Sequence, residues 1–129
     1  MTPVALVYNV EGNRKKQIEL LAACLGVRVR PVGPGEYGVP VGALCALEEG
    51  GGGAAKSLWS AFDEEMLVMA FFTEELLHRF LDSFRLAGVP SVRLKAVLTE
   101  TNKGWNSSEL RAELLREEAA FRAMKEQRK

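Results

Sequence analysis

An apolar run, an amphipathic run and a second apolar run follow one another between Val4 and Val32, and the same order returns between Met66 and Leu98. A strand–helix–strand unit written twice restricts the chain to layered α/β folds, because a helix joining strands of one sheet must pack on a face of that sheet. Leu110 to Met124 add one more amphipathic segment, a C-terminal helix. With 129 residues and 47% hydrophobic content, the chain has the size and apolar content of one ordinary domain. The expectation is a single α/β domain over 1–129, with a flexible glycine-rich connector around 48–56.

The strand types differ. Val4 to Tyr8 and Met66 to Phe72 are continuously apolar, as in strands covered on both faces. Val27-Arg28-Val29-Arg30 and Val92 to Ala96 alternate, as in strands with one wet face. The first pair therefore belongs in the middle of the sheet and the second pair at its edges, where charged side chains discourage edge-to-edge pairing. Two topologies fit. One is a small four-stranded, mostly parallel sheet in the order 2-1-3-4, built from two similar βαβ halves. The other is a ferredoxin-like α+β sandwich. The long connector and doubly buried centre favour the first. In its fully parallel form, right-handed crossovers put the first and C-terminal helices on one face, with the connector and the middle helix on the other.

The helix signals are local. Ile18, Leu21, Ala22 and Leu25 form the stripe of a helix ending at Gly26. Thr73 is an N-cap ahead of Glu74 and Glu75, while Leu76, Leu77, Phe80, Leu81 and Phe84 make an apolar face that stops at Gly88. Asn106 and Glu109 have the spacing of a capping box. Short helical pieces are expected near Val41 to Leu47 and Ala54 to Phe62.

Seventeen basic and seventeen acidic residues cancel, which removes the broad attraction that draws proteins to nucleic acid. No apolar run is long enough to span a bilayer, and Met1-Thr2-Pro3 leads straight into a strand, so a cytoplasmic protein without a leader is expected. Cys24 and Cys45, each among alanine and leucine, read as buried reduced thiols. Neither they nor His78, the single histidine, have the spacing of a metal site or a catalytic triad, so no metal, cofactor or catalytic residue is assigned. Glu48 to Ser57 approaches a phosphate-binding loop, but alanine stands at position 55 where that loop needs glycine; a flexible linker is the better reading. Arg28, Arg30, Arg93 and Lys95 suit solvated edges better than an RNA surface, which would want aromatic side chains on the central strands to stack on bases; Tyr8, Phe71 and Phe72 are available, but no RNP-like sequence surrounds them.

Thr99 to Asn106 is the most distinctive segment. It leaves a strand and enters a helix, so the N–H groups near Asn106, Ser107 and Ser108 are expected to be free donors aimed outward. Thr99, Thr101 and Asn102 add hydrogen-bonding groups, Lys103 a charge and Trp105 a flat apolar surface. In the parallel sheet Asn9 and Thr73 would share that end, where open α/β sheets bind ligands. The structural reading ranks ahead: Thr and Asn build turns, and Trp105 is expected to be a buried anchor.

Leu94-Lys95-Ala96-Val97-Leu98-Thr99-Glu100-Thr101-Asn102-Lys103-Gly104-Trp105 resembles the signature L-K-A-V-x-T-x-x-N-x-x-W of a bacterial family of uncharacterised small proteins, a domain of unknown function. Leu6 to Asn9 and the middle helix extend the likeness to both halves, whereas the glycine-rich connector is particular to this sequence. The resemblance brings no activity or cofactor; it draws interest to Thr99, Asn102 and Trp105. The function class expected is a binding or protein-interaction module more than an enzyme. The alternative is a small enzyme or sensor that takes an anionic small molecule at Thr99, Thr101, Asn102, Lys103, Trp105 and Asn9. A homodimer is expected through the C-terminal helix, along Leu110, Leu114, Phe121 and Met124, a seam that Glu117 interrupts.

Overall fold

The computed structural model describes residues 2–46 and 60–127. The near-miss loop Glu48 to Ser57, and with it the glycine-rich connector, lies outside the described residues. In chain order come β1 (Val4–Tyr8), α1 (Gly12–Cys24), β2 (Arg28–Pro31), a short 3-10 turn (Pro34–Glu36), α2 (Val41–Cys45), β3 (Met66–Ala70), α3 (Glu74–Ala87), β4 (Leu94–Val97) and α4 (Ser107–Gln127).

The four strands form one sheet in the order β2-β1-β3-β4. As their patterns require, β1 and β3 are central and buried throughout, while β2 and β4 are partly wet edges. Two of the three pairings, β1 with β2 and β3 with β4, are parallel. The central pair corrects the fully parallel version: β1 and β3 run antiparallel, Val4 opposite Ala70 and Tyr8 opposite Met66.

That reversal also moves the helices. Two right-handed crossovers leading outward from an antiparallel centre fall on the same face of the sheet. Ile18 and Ala22 of α1 and Phe80 and Phe84 of α3 accordingly pack together against Ala5, Val7, Leu67 and Met69. The opposite face, carrying Val4, Leu6, Tyr8, Met66 and Val68, is covered by Tyr37, α2 and Leu110 of α4. The pairing of α1 with the C-terminal helix on one face is thereby overturned.

The repetition in the sequence is a structural one. Asn9 and Phe71, each the first residue after a central strand, both have left-handed backbones, φ 63° and 66°. Gly26 and Gly88 follow α1 and α3 with φ 74° and 70°. The next residues, Val27 and Val89, donate back to Ala22 O at 2.9 Å and Phe84 O at 2.8 Å. This is the six-residue return that ends many helices at glycine. The members of all three pairs are equally far apart in the chain, so each half repeats the other about the antiparallel centre.

Cys45 is buried as expected, and burial pushes its thiol up to about 11. Cys24 is instead exposed. It lies off the Ile18–Ala22 stripe of α1, and apolar sequence neighbours do not decide which face of a helix a residue occupies.

Candidate functional site

In each half, the chain leaves the central strand toward the α1/α3 face and leaves the edge strand toward the other face. A crevice opens where parallel neighbours diverge in this way, and open α/β sheets bind their ligands there. The antiparallel centre puts the two crevices at opposite ends of the sheet.

The crevice beyond β1 and β2 is filled by the protein itself. Asn9 donates its amide to the carbonyls of Phe62 and Glu64, both at 2.9 Å, and accepts from the Tyr37 hydroxyl at 3.3 Å. Tyr37 stacks on Phe62 with ring centroids 4.3 Å apart. Asn9 therefore lies at the far end of the sheet from Thr99, and the shared cleft expected for the two does not form. The antiparallel pairing of β1 with β3 is the cause.

The crevice beyond β3 and β4 remains open among the described residues. It encloses about 840 Å³. Phe71 and Phe72 form one wall, Val97 to Glu100 with Lys103 and Gly104 another, and Gly42, Ala43 and Ala46 of the α2 region the third. Both phenylalanines are half-buried. Phe71 holds its left-handed backbone with a bulky side chain, which costs roughly 1–2 kcal/mol where asparagine or glycine pays little. Polar side chains here are few. Glu100 and Lys103 pair with each other at 2.6 Å, and that bond holds the Glu100 carboxyl below its usual range. Thr73 is also at this end, but its hydroxyl oxygen caps α3 by accepting from Leu76 N–H at 3.1 Å.

The segment Thr99–Asn106 is fastened from within. Asn102 accepts from Thr99 N–H at 2.8 Å and donates to the Val97 carbonyl at 3.0 Å, while the Asn102 N–H donates to the Thr99 hydroxyl at 3.1 Å. These reciprocal bonds lock the strand exit into a turn. The segment is also tied to the α2 region, where Val41 N–H donates to Trp105 O at 2.8 Å and Gly42 N–H to Lys103 O at 2.9 Å. A Cβ added at Gly42 would stand 3.0 Å from the Lys103 carbonyl oxygen. Gly42→Ala is expected to cost about 1–3 kcal/mol, read by chemical denaturation, because backbone must shift to admit the methyl.

The free N–H donors expected at the start of α4 are largely occupied. Asn106 N–H donates to the Glu109 carboxylate at 3.0 Å and Glu109 N–H to Asn106 Oδ1 at 2.8 Å, which completes the capping box. Ser107 N–H donates to Tyr37 O at 3.0 Å, and its hydroxyl meets the Tyr8 hydroxyl at 2.7 Å. An anion at this turn would have to displace those partners.

The segment divides two hollows. Lys103 lines the crevice just described, and Thr99 stands between the two hollows and lines both. Thr101, Asn102 and Trp105 face a groove of about 430 Å³ between β4 and α4. Trp105 is half-buried, packing on the core beside Leu114 while walling the groove, so it is both anchor and surface. Sequence reasoning considers Phe71 and Phe72 only as aromatic side chains for RNA stacking and misses them as a crevice wall; an aromatic pair at the exit of an apolar strand, just ahead of an N-cap threonine, was the available signal.

Residues 65–121 match a family described as a domain of unknown function (DUF3783). The match runs from the start of β3 into α4, taking in the hollow between β4 and α4 and two of the three walls of the crevice, and it agrees with the resemblance to an uncharacterised family. No curated protein and no solved structure matches the chain. Among the described residues, no helix is long and apolar enough to cross a membrane.

Proposed function

We propose that the protein is a binding module whose site is the crevice beyond β3 and β4, and that it takes the apolar, aromatic-sized part of a small molecule. The carrying observation is Phe71, a bulky side chain kept in a left-handed backbone beside Phe72 at the open crevice, while the equivalent crevice is plugged around Asn9. Strain of that kind persists where the surroundings impose it, and it concentrates at binding sites. Among the described residues the charged side chains on the lining, Glu100 and Lys103, neutralise each other, which favours an apolar ligand over an anion and binding over catalysis.

Amide-resolved NMR titration with indole, phenylacetate and inorganic phosphate separates these readings. Indole and phenylacetate are expected to shift Phe71, Phe72 and Val97 to Lys103. Phosphate binding centred on Thr99 to Ser108, with no response to either aromatic probe, would establish the anionic alternative instead.

Pairing of two copies through α4 belongs to the same reading, because Phe121 and Met124 stand 60% and 56% exposed. Light scattering is expected to show a dimer at high micromolar concentration, and a clean monomer removes this part.

A further inference from the structure

The second hollow carries a different ligand chemistry, although it shares Val97 and Thr99 with the crevice. β4 is an edge strand. Leu94 N–H turns inward to the Glu65 carbonyl and Leu98 N–H to the Met69 carbonyl. The alternation of a strand then sends the N–H and C=O of Lys95 and the N–H of Val97 away from β3. Asn102 occupies the outward carbonyl of Val97, and the Lys95 ammonium donates to the Val92 carbonyl at 2.9 Å, just ahead of the strand. A short stretch of β4 is left with the donors and acceptor that an added strand would use.

The wall beside that stretch is chemically selective. Leu94 and Ala96 turn toward the α4 layer, so alternate side chains of an added strand would do the same. There they meet Ala96, Leu110, Leu114 and the half-buried Trp105, with the carboxylates of Glu113 and Glu117 also on the groove. Glu113 is paired with Arg116, 2.5 Å away, in a neighbouring hollow that Trp105 also lines, so Glu117 is the groove carboxylate without an ion-pair partner among the described residues; Lys95 is turned onto Val92. An indole face with carboxylates beside it attracts a cation and repels an anion.

We propose that the groove between β4 and α4 takes an extended, basic segment of a partner polypeptide, paired to the outer edge of β4 with a lysine or arginine side chain over Trp105 and against Glu113 and Glu117. Main-chain bonds to Lys95 and Val97 set the register, and the acidic, aromatic wall sets the preference for a basic side chain.

The test compares two capped peptides, one alternating valine and lysine, the other valine and glutamate, titrated into the isotopically labelled protein. The lysine peptide is expected to shift Lys95, Val97, Glu113 and the Trp105 indole N–H, and to slow hydrogen exchange at the Lys95 and Val97 amides. The glutamate peptide is expected to leave them unmoved. A Glu113→Gln, Glu117→Gln double variant, altered at surface positions, should weaken the lysine peptide about tenfold. Equal binding of the two peptides, shifts centred on β2 or on the Phe71 crevice, an unchanged affinity in the double variant, or no binding at millimolar peptide would each overturn the proposal.

Discussion

Phe80→Ala should lose about 3–5 kcal/mol of stability, a fall of about 10–20 °C in melting temperature by differential scanning calorimetry. Phe80 is fully buried and lies at the centre of the layer between α1, α3 and the sheet. Its ring meets Phe84 edge-on with centroids 5.3 Å apart and tilts against Phe72 at 5.7 Å. Truncation removes both aromatic contacts and leaves a cavity that rigid neighbours on sheet and helix close poorly. Because Phe72 leans on Phe80, this variant should also loosen the crevice wall. A loss under about 1 kcal/mol would mean that the α1/α3 layer is not packed as described.

Asn102→Ala should cost about 2–4 kcal/mol, although the side chain is small and lies in a turn. Asn102 is 8% exposed and serves two backbone groups, the Thr99 N–H and the Val97 carbonyl. Alanine leaves both without their partner in a nearly buried position, and each such orphan costs about 1–3 kcal/mol. Asn102→Asp separates the two contributions: it keeps the acceptor for Thr99 and sets a carboxylate against the Val97 carbonyl, so it should fall between the parent and the alanine variant. Urea unfolding of the three proteins reads the series, and equal stability of all three would show the turn to be held by other contacts.

Where a signal is confined to neighbouring residues, the chain announces its structure. Thr73, Gly26, Gly88 and the Asn106–Glu109 pair are all caps, and each acts as its spacing indicates. Strand order was equally legible, because doubly apolar β1 and β3 can only be central and alternating β2 and β4 can only be edges. The direction of β3 relative to β1 was not. A strand buried on both faces presents the same pattern read either way, and a connector as long as 32–65 can return from either end. One undetermined direction moved Asn9 to the far end of the sheet and brought α1 and α3 onto one face. The open crevice was hidden for a second reason. Left-handed backbones are announced by glycine or asparagine, as at Asn9, and nothing in a Phe-Phe pair marks the same conformation at Phe71.

The two halves supply the substitution that probes the crevice most sharply. Phe71→Asn installs at the open crevice the residue that the other half carries at the equivalent, plugged one. Asparagine tolerates the left-handed backbone, so relief of strain offsets the partial packing lost, and the melting temperature should stay within a few degrees of the parent. The aromatic wall is gone, so the indole titration monitored at Leu98, Thr99 and Lys103 should weaken about tenfold. Unchanged indole affinity in a folded Phe71→Asn protein would contradict the assignment of the crevice beyond β3 and β4 as the binding site.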